Sequence, residues 1–188
     1  MAQSQHEALD TFVEATRDAF RTYTDPLTQA ETVTTAAEEL VAADGWMEEL
    51  MDFDGRRARA ELHLDEEYGH PDAGFVVKGS VTHPEEPTGG STPHDHGSTW
   101  VVYAVYRGKM EQYRYGWEYD EDARNPELTE QAKFVQEPGD ALFLLPGEIH
   151  RTNIVSEEPT WVVRIESQHL DTVPRHRYDL ETNSIGTK

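Results

Sequence analysis

The sequence predicts a mainly β protein: an antiparallel barrel or jelly roll preceded by a helical segment. Three observations predict it. Residues 1 to about 53 carry apolar side chains at a helical period. From about Arg56 the period changes to two. The later segments are short, rich in β-branched and aromatic residues, and separated by Gly/Pro pairs.

In the first segment, Leu9, Phe12, Val13, Ala19 and Phe20 fall on one side of a helix, with Thr16 the one polar residue in the stripe. Asp25-Pro26 ends this helix, and Thr28 is read as the cap of the next. Val33, Ala36, Ala37, Leu40 and Val41 form a second stripe that Asp44-Gly45 closes, and Trp46 to Phe53 reads as a short third helix. Ala58, Ala60, Leu62 and Leu64 then alternate with polar residues as in a half-buried strand. Further strands are expected at Phe75–Val81, Thr99–Tyr106, Met110–Tyr115, Ala141–Leu145 and Trp161–Ile165, with turns at 87–90, 107–108, 138–139 and 146–147. Residues 116–132 are polar and read as a long surface loop. The expected organisation is a helical segment, 1–55, packed on a barrel, 56–188.

The chain has 188 residues, 16 Lys+Arg against 37 Asp+Glu, a formal charge of −21, and no cysteine. Without cysteine there is no thiolate zinc site, Fe–S cluster or cysteine nucleophile. The acidic excess argues against nucleic acid and anionic membrane surfaces as partners, since both need a cationic face. No apolar run approaches the ~20 residues that span a bilayer. The start, MAQSQHEALD, has no basic or apolar signal region, so a cytoplasmic protein is expected. Lysine occurs at 78, 109, 133 and 188 alone. Such a surface suits a halophilic protein or an ordinary acidic one from an Arg-rich genome, and stabilisation by multimolar salt would separate the two.

Among nine histidines, three stand out by context. His94 and His96 flank Asp95 just before an aromatic segment, and residues i and i+2 of a strand share a face. His150 follows a separate strand and turn, PGDALFLLPGEIH. A jelly roll can bring it opposite the pair, giving three imidazoles on one metal with positions left open for substrate. Counted along an unbroken strand, His94 and His96 share parity with Trp100 and Tyr106, while Tyr103 faces the other way. Tyr106 is therefore a candidate for substrate contact. Arg164 and Glu166, also at i and i+2, would form a buried ion pair or bind substrate, and a buried Arg is suited to fork a carboxylate. No phosphate-binding glycine loop or nucleophile elbow occurs.

The segments PHDHGSTWVVYAVYRG and PGDALFLLPGEIHRTN resemble the two motifs of the cupin superfamily. Its first motif has a Glu four or five residues after His-x-His; here that position is Val101, so ligation falls to His94, His96 and His150 alone. A three-His site without that carboxylate is similar to the pattern of cysteine dioxygenase and related thiol dioxygenases. HDHGSTWVVYAVYRGKMEQYRY, HRTNIVSEEP and the tail RHRYDLETN resemble the layout of that branch over about residues 56 to 183. The resemblance implies a double-stranded β-helix and Fe(II), with Zn, Mn or Ni as the other options. It also implies dioxygen and a small, thiol-bearing carboxylic acid as reactants. The substrate-carboxylate Arg of the branch lies on an early strand, where Arg59 is the best match and Arg57 the alternative. The branch's Ser-x-His-x-Tyr relay is absent: Val162, Arg164 and Glu166 occupy those places. That leaves two other readings open, a metal-binding cupin without turnover and a non-redox metal enzyme such as an isomerase. Cupins often pair, so a homodimer through the N-terminal arm is a further expectation.

Overall fold

The computed structural model describes residues 6–53, 58–70, 74–84, 91–119 and 126–187. The expected turn at 87–90, Arg57 and the 55/56 boundary lie outside these residues.

Three helices open the chain: α1 (Glu7–Thr22), α2 (Pro26–Ala42) and α3 (Trp46–Leu50). Leu9, Phe12, Val13 and Ala19 of α1 are buried as the stripe demands, and Thr16 is buried among them. The cap of α2 is Asp25, not Thr28: its carboxylate accepts from the backbone N and the hydroxyl of Thr28. The reason is Pro26, whose fixed φ suits the first helical position and leaves the preceding Asp outside the helix. Among the described residues no helix is long and apolar enough to cross a membrane.

The strands are β1 (Ala58–His70), β2 (Gly74–Thr82), β3 (Val101–Arg107), β4 (Met110–Glu118), β5 (Glu127–Gln136), β6 (Ala141–Leu144), β7 (Ile149–Ile154), β8 (Thr160–Glu166), β9 (His176–Asp179) and β10 (Ser184–Thr187). One sheet runs in the order β1-β2-β8-β3-β6, a second is β5-β4-β7, and β9 and β10 form a two-stranded pair. The segment 91–94 lengthens the second sheet through Ser91 N to Thr152 O, and through reciprocal backbone bonds between His94 and His150. Antiparallel pairing of sequence-distant strands in two facing sheets is the jelly roll, or double-stranded β-helix. The protein is mainly β with an N-terminal helical segment, as the periodicity predicts.

Alternation along β3 and β8 divides two cores. Val102, Ala104, Tyr106, Trp161, Val163 and Ile165 face the helices, where Phe12, Val33, Leu40 and Trp46 cover them. Val101, Tyr103, Val105 and Val162 face the barrel interior and meet Met110. A Gly at the β3–β4 turn lets the strands meet: Gly108 has φ +77°, and a Cβ there would lie 2.5 Å from Thr160 Oγ1.

Two expectations fail here. Residues 116–118 and 127–132 are not loop but the ends of β4 and β5, paired at Gly116↔Thr129 and Trp117↔Leu128. Most of β5 is exposed on both faces, so it lacks the alternation that reveals a strand. In β1 the register slips between Glu61 and His63, so Leu62 is buried while Leu64 is 40% exposed.

The helices are also tied to β1 by charge. Asp65 is buried and accepts from Arg17 Nε at 2.6 Å and from the backbone N of Glu67 and Tyr68. Burial pushes its pKa up, but the bonds from Tyr68, Arg17, His63 and Glu67 outweigh it and hold the carboxyl below its ordinary value. A depressed folded pKa adds stability above the unfolded pKa that is lost as pH falls through the folded one. Asp65→Asn is therefore expected to cost about 1–3 kcal/mol at pH 7. The gap to wild type should close progressively below about pH 4 in parallel denaturant melts.

Candidate metal centre

The two sheets bring His94, His96 and His150 together, with one nitrogen of each within 4.8 Å of the others. Ring centroids are 5.2 Å apart for His94–His96, 4.6 Å for His94–His150 and 4.9 Å for His96–His150. His96 and His150 are fully buried and His94 borders a cavity. Burial lowers the pKa of all three, and mutual repulsion adds to it for His96 and His150, so each ring is held neutral with a lone pair to offer. His96 Nδ1 and His150 Nε2 are buried without a hydrogen-bond partner among the described residues. Three neutral imidazoles with unspent lone pairs fit a divalent transition metal.

Two of the rings are oriented from behind. His94 Nδ1 lies 2.9 Å from Thr92 O, a pure acceptor, so Nδ1 carries the proton and Nε2 the lone pair. His150 is fixed by a longer chain. Gln136 Nε2 donates to the carbonyls of Tyr103 and Asp140, which sets its amide orientation. Its Oε1 then accepts from Gln112 Nε2, and Gln112 Oε1 is turned to His150 Nδ1 at 3.1 Å. The proton on Nδ1 leaves Nε2 free to ligate. Gln112→Leu removes this acceptor. It is expected to weaken metal binding about 10–100-fold, read by chelator competition.

Tyr103, not Tyr106, is the tyrosine at the cluster. Its hydroxyl lies 3.3 Å from His96 Nε2, and its ring is 5.3 Å from that of His150. Tyr106 points into the helical layer, donates to Glu48 Oε2 and accepts from Gly45 N. Parity counted from the histidines fails because the chain turns between them and β3: Thr99 N bonds His96 O, and Gly97 takes φ +61°. Asp95 faces away from the cluster and braces it, accepting from Gly97 N, His176 Nδ1 and the Tyr178 hydroxyl.

Beside the imidazoles opens a cavity of about 750 Å³. Strand register sets its charged wall: Arg59 opposes Ser80, which opposes Val162, and Lys78 opposes Arg164, which opposes Tyr103. Glu166 is fully buried between these cations, 3.2 Å from Lys78 Nζ and in an ion pair with Arg164. Arg59 and Arg164 therefore come to one wall, with Glu166 buried behind it. Lys78, Arg175 and Arg177 also border the cavity and escaped the sequence analysis. Arg175 and Arg177 arrive through a tail segment whose place depends on distant pairing, Asp95 N to His176 O and Tyr178 N to Pro93 O.

No protein-family model and no curated protein matches the chain. Solved structures similar to it include a double-stranded β-helix protein from Klebsiella pneumoniae subsp. pneumoniae, at 14% identity and TM-score 0.42, covering 72% of this chain and 87% of that one. Another is KdgF from Halomonas sp., at 14% identity and TM-score 0.41, covering 65% of this chain and 90% of that one. A third is an oxalate oxidase in complex with the substrate analogue glycolate, at 16% identity and TM-score 0.40, covering 62% of this chain and 53% of that one.

Proposed function

We propose that the protein is a metal-dependent enzyme of cupin type acting on a small carboxylic acid, with iron as the metal and dioxygen as co-substrate. The observation that carries this reading is the meeting of three neutral imidazoles at a cavity whose adjoining wall holds Arg59, Lys78 and Arg164. In a chain of charge −21, such a wall favours an anion where the outer surface repels it. Bound to the three histidines, iron would supply the redox chemistry that no side chain here can.

The chain's own residues supply the rest. Arg164 presents a guanidinium at the cavity, suited to hold a carboxylate in two parallel hydrogen bonds. Tyr103 is buried beside it, and burial raises its pKa, so its hydroxyl stays protonated; its oxygen accepts from His96 Nε2 when His96 Nδ1 is the atom left free to ligate. It brings a phenol to the cluster from β3, where the thiol-dioxygenase pattern expects one on β8. Met110, Ile154, Val162 and Leu170 give the cavity apolar wall that restricts water.

The resemblance to thiol dioxygenases makes a thiol-bearing acid the first substrate to test. Iron-loaded protein is expected to take up oxygen with cysteine, 3-mercaptopropionate or a member of a wider thiol-acid panel. Silence across that panel would reject thiol dioxygenation. Protein from its native host that holds zinc, manganese or nickel would point instead to a non-redox enzyme. Bound iron without turnover would point to a ligand-binding module.

A further inference from the structure

The cavity has two cationic walls. Arg59, Lys78 and Arg164 line a lobe of about 260 Å³ on the five-stranded sheet. Arg175 and Arg177 border the cavity from the C-terminal segment. His94 borders the same cavity and forms a backbone bridge with Arg177.

The tail arginines are poorly matched by the protein itself. The Arg175 side chain is 13% exposed, its nearest carboxylate is Asp171 Oδ1 at 3.9 Å, and Asp171 is itself 77% exposed. Arg175 Nε is buried with no hydrogen-bond partner among the described residues. Arg177 and, on the other wall, Arg59 are exposed and have no ion-pair partner among the described residues, so Arg175 is the enclosed one. The acids near these walls already have partners: Glu166, behind the wall, is shared by Lys78 and Arg164, Glu61 at the edge of the lobe faces His169 at 3.4 Å, and Asp95 at the cavity is held by His176 and Tyr178. An enclosed guanidinium without a carboxylate at hydrogen-bond distance is costly unless an anion completes it.

We infer that the cavity takes a small molecule with an anionic group at each end, one seated against Arg59 and Arg164 and the other against Arg175 and Arg177, with His94 between them. This rests on the proposed small-acid reading of the same cavity and narrows it to dianions. Two carboxylates, or a carboxylate and a phosphonate or phosphate, share that chemistry. A cavity of about 750 Å³ has room for either.

Calorimetric titration of the metal-free protein tests it, with butyrate against glutarate and adipate, and 3-phosphonopropionate as the phosphorus-bearing arm. A dianion is expected to bind at least about tenfold more tightly than butyrate, because its second group binds at high effective concentration. Arg175→Gln/Arg177→Gln should shrink that ratio to within about threefold. If the double variant melts early, Arg177→Gln alone, at an exposed position, should still reduce the ratio. Equal affinity for the two classes, no binding of either, or a ratio untouched by these substitutions would overturn the inference. A chain that prefers dianions yet never retains metal would support the inference while sinking the metal reading.

Discussion

His150→Ala is expected to lower metal affinity by more than about 100-fold, beyond the range for losing a supporting residue. His150 is one of three donors in the cluster, and Val101 stands where a cupin would supply a fourth. Two imidazoles from one loop remain after the substitution, and among the described residues no other histidine or carboxylate joins the group. The change also strands Gln112 Oε1 in the interior, which costs about 1–3 kcal/mol. The variant should therefore melt earlier than wild type but still fold. Elemental analysis of protein from the native host, with chelator competition on reconstituted protein, reads the effect. His176→Ala is the control: His176 borders the same cavity outside the cluster and should keep metal within about threefold. Full occupancy in His150→Ala would discard the ligand set.

The cluster was legible in the sequence because its parts are local. His-x-His, the PGDALFLLPGEIH segment and a period-two chain together call for a jelly roll that closes on three imidazoles. Arg164 and Glu166 were legible for the same reason, since i and i+2 on one strand share a face whatever the strand pairs with. What lay hidden is set by pairing between distant segments. Gln112 meets Gln136 through the β4–β5 pairing, and Tyr103 meets Arg164 through the β3–β8 register. Arg175 and Arg177 reach the cavity because the tail bonds to residues 93–95. The error over Tyr106 has a similar root. A parity count is valid only within one strand, and the turn at 97–99 resets it. In β5 the signal itself is missing, since exposed strands carry no apolar alternation.

Glu166→Ala should be the most destabilising single change at the site, by about 3–5 kcal/mol, because it breaks a buried ion pair from one side. The carboxylate is wholly enclosed, pairs with Lys78 and Arg164, and accepts from Leu170 N at 2.9 Å. Its loss leaves the Leu170 N–H and two cations at the cavity wall, each only partly exposed, without their carboxylate. Glu166→Gln keeps the shape and an acceptor for Leu170, so it should cost less. It also has a second expected effect of opposite sign. With the protein's own carboxylate neutralised, Arg164 and Lys78 become free for a ligand's, and carboxylate binding should tighten several-fold, by about 1 kcal/mol. A triad kept for stability alone behaves otherwise, because buried ion pairs are often replaceable by apolar residues without loss. Lys78→Met/Arg164→Met/Glu166→Leu separates the two roles. It should fold about as stably as wild type in denaturant melts and lose carboxylate binding in calorimetry. Tight binding retained by the triple variant would take the anion site away from this wall. A Glu166→Ala protein within about 1 kcal/mol of wild type would mean that water or a rotated side chain already neutralises these cations.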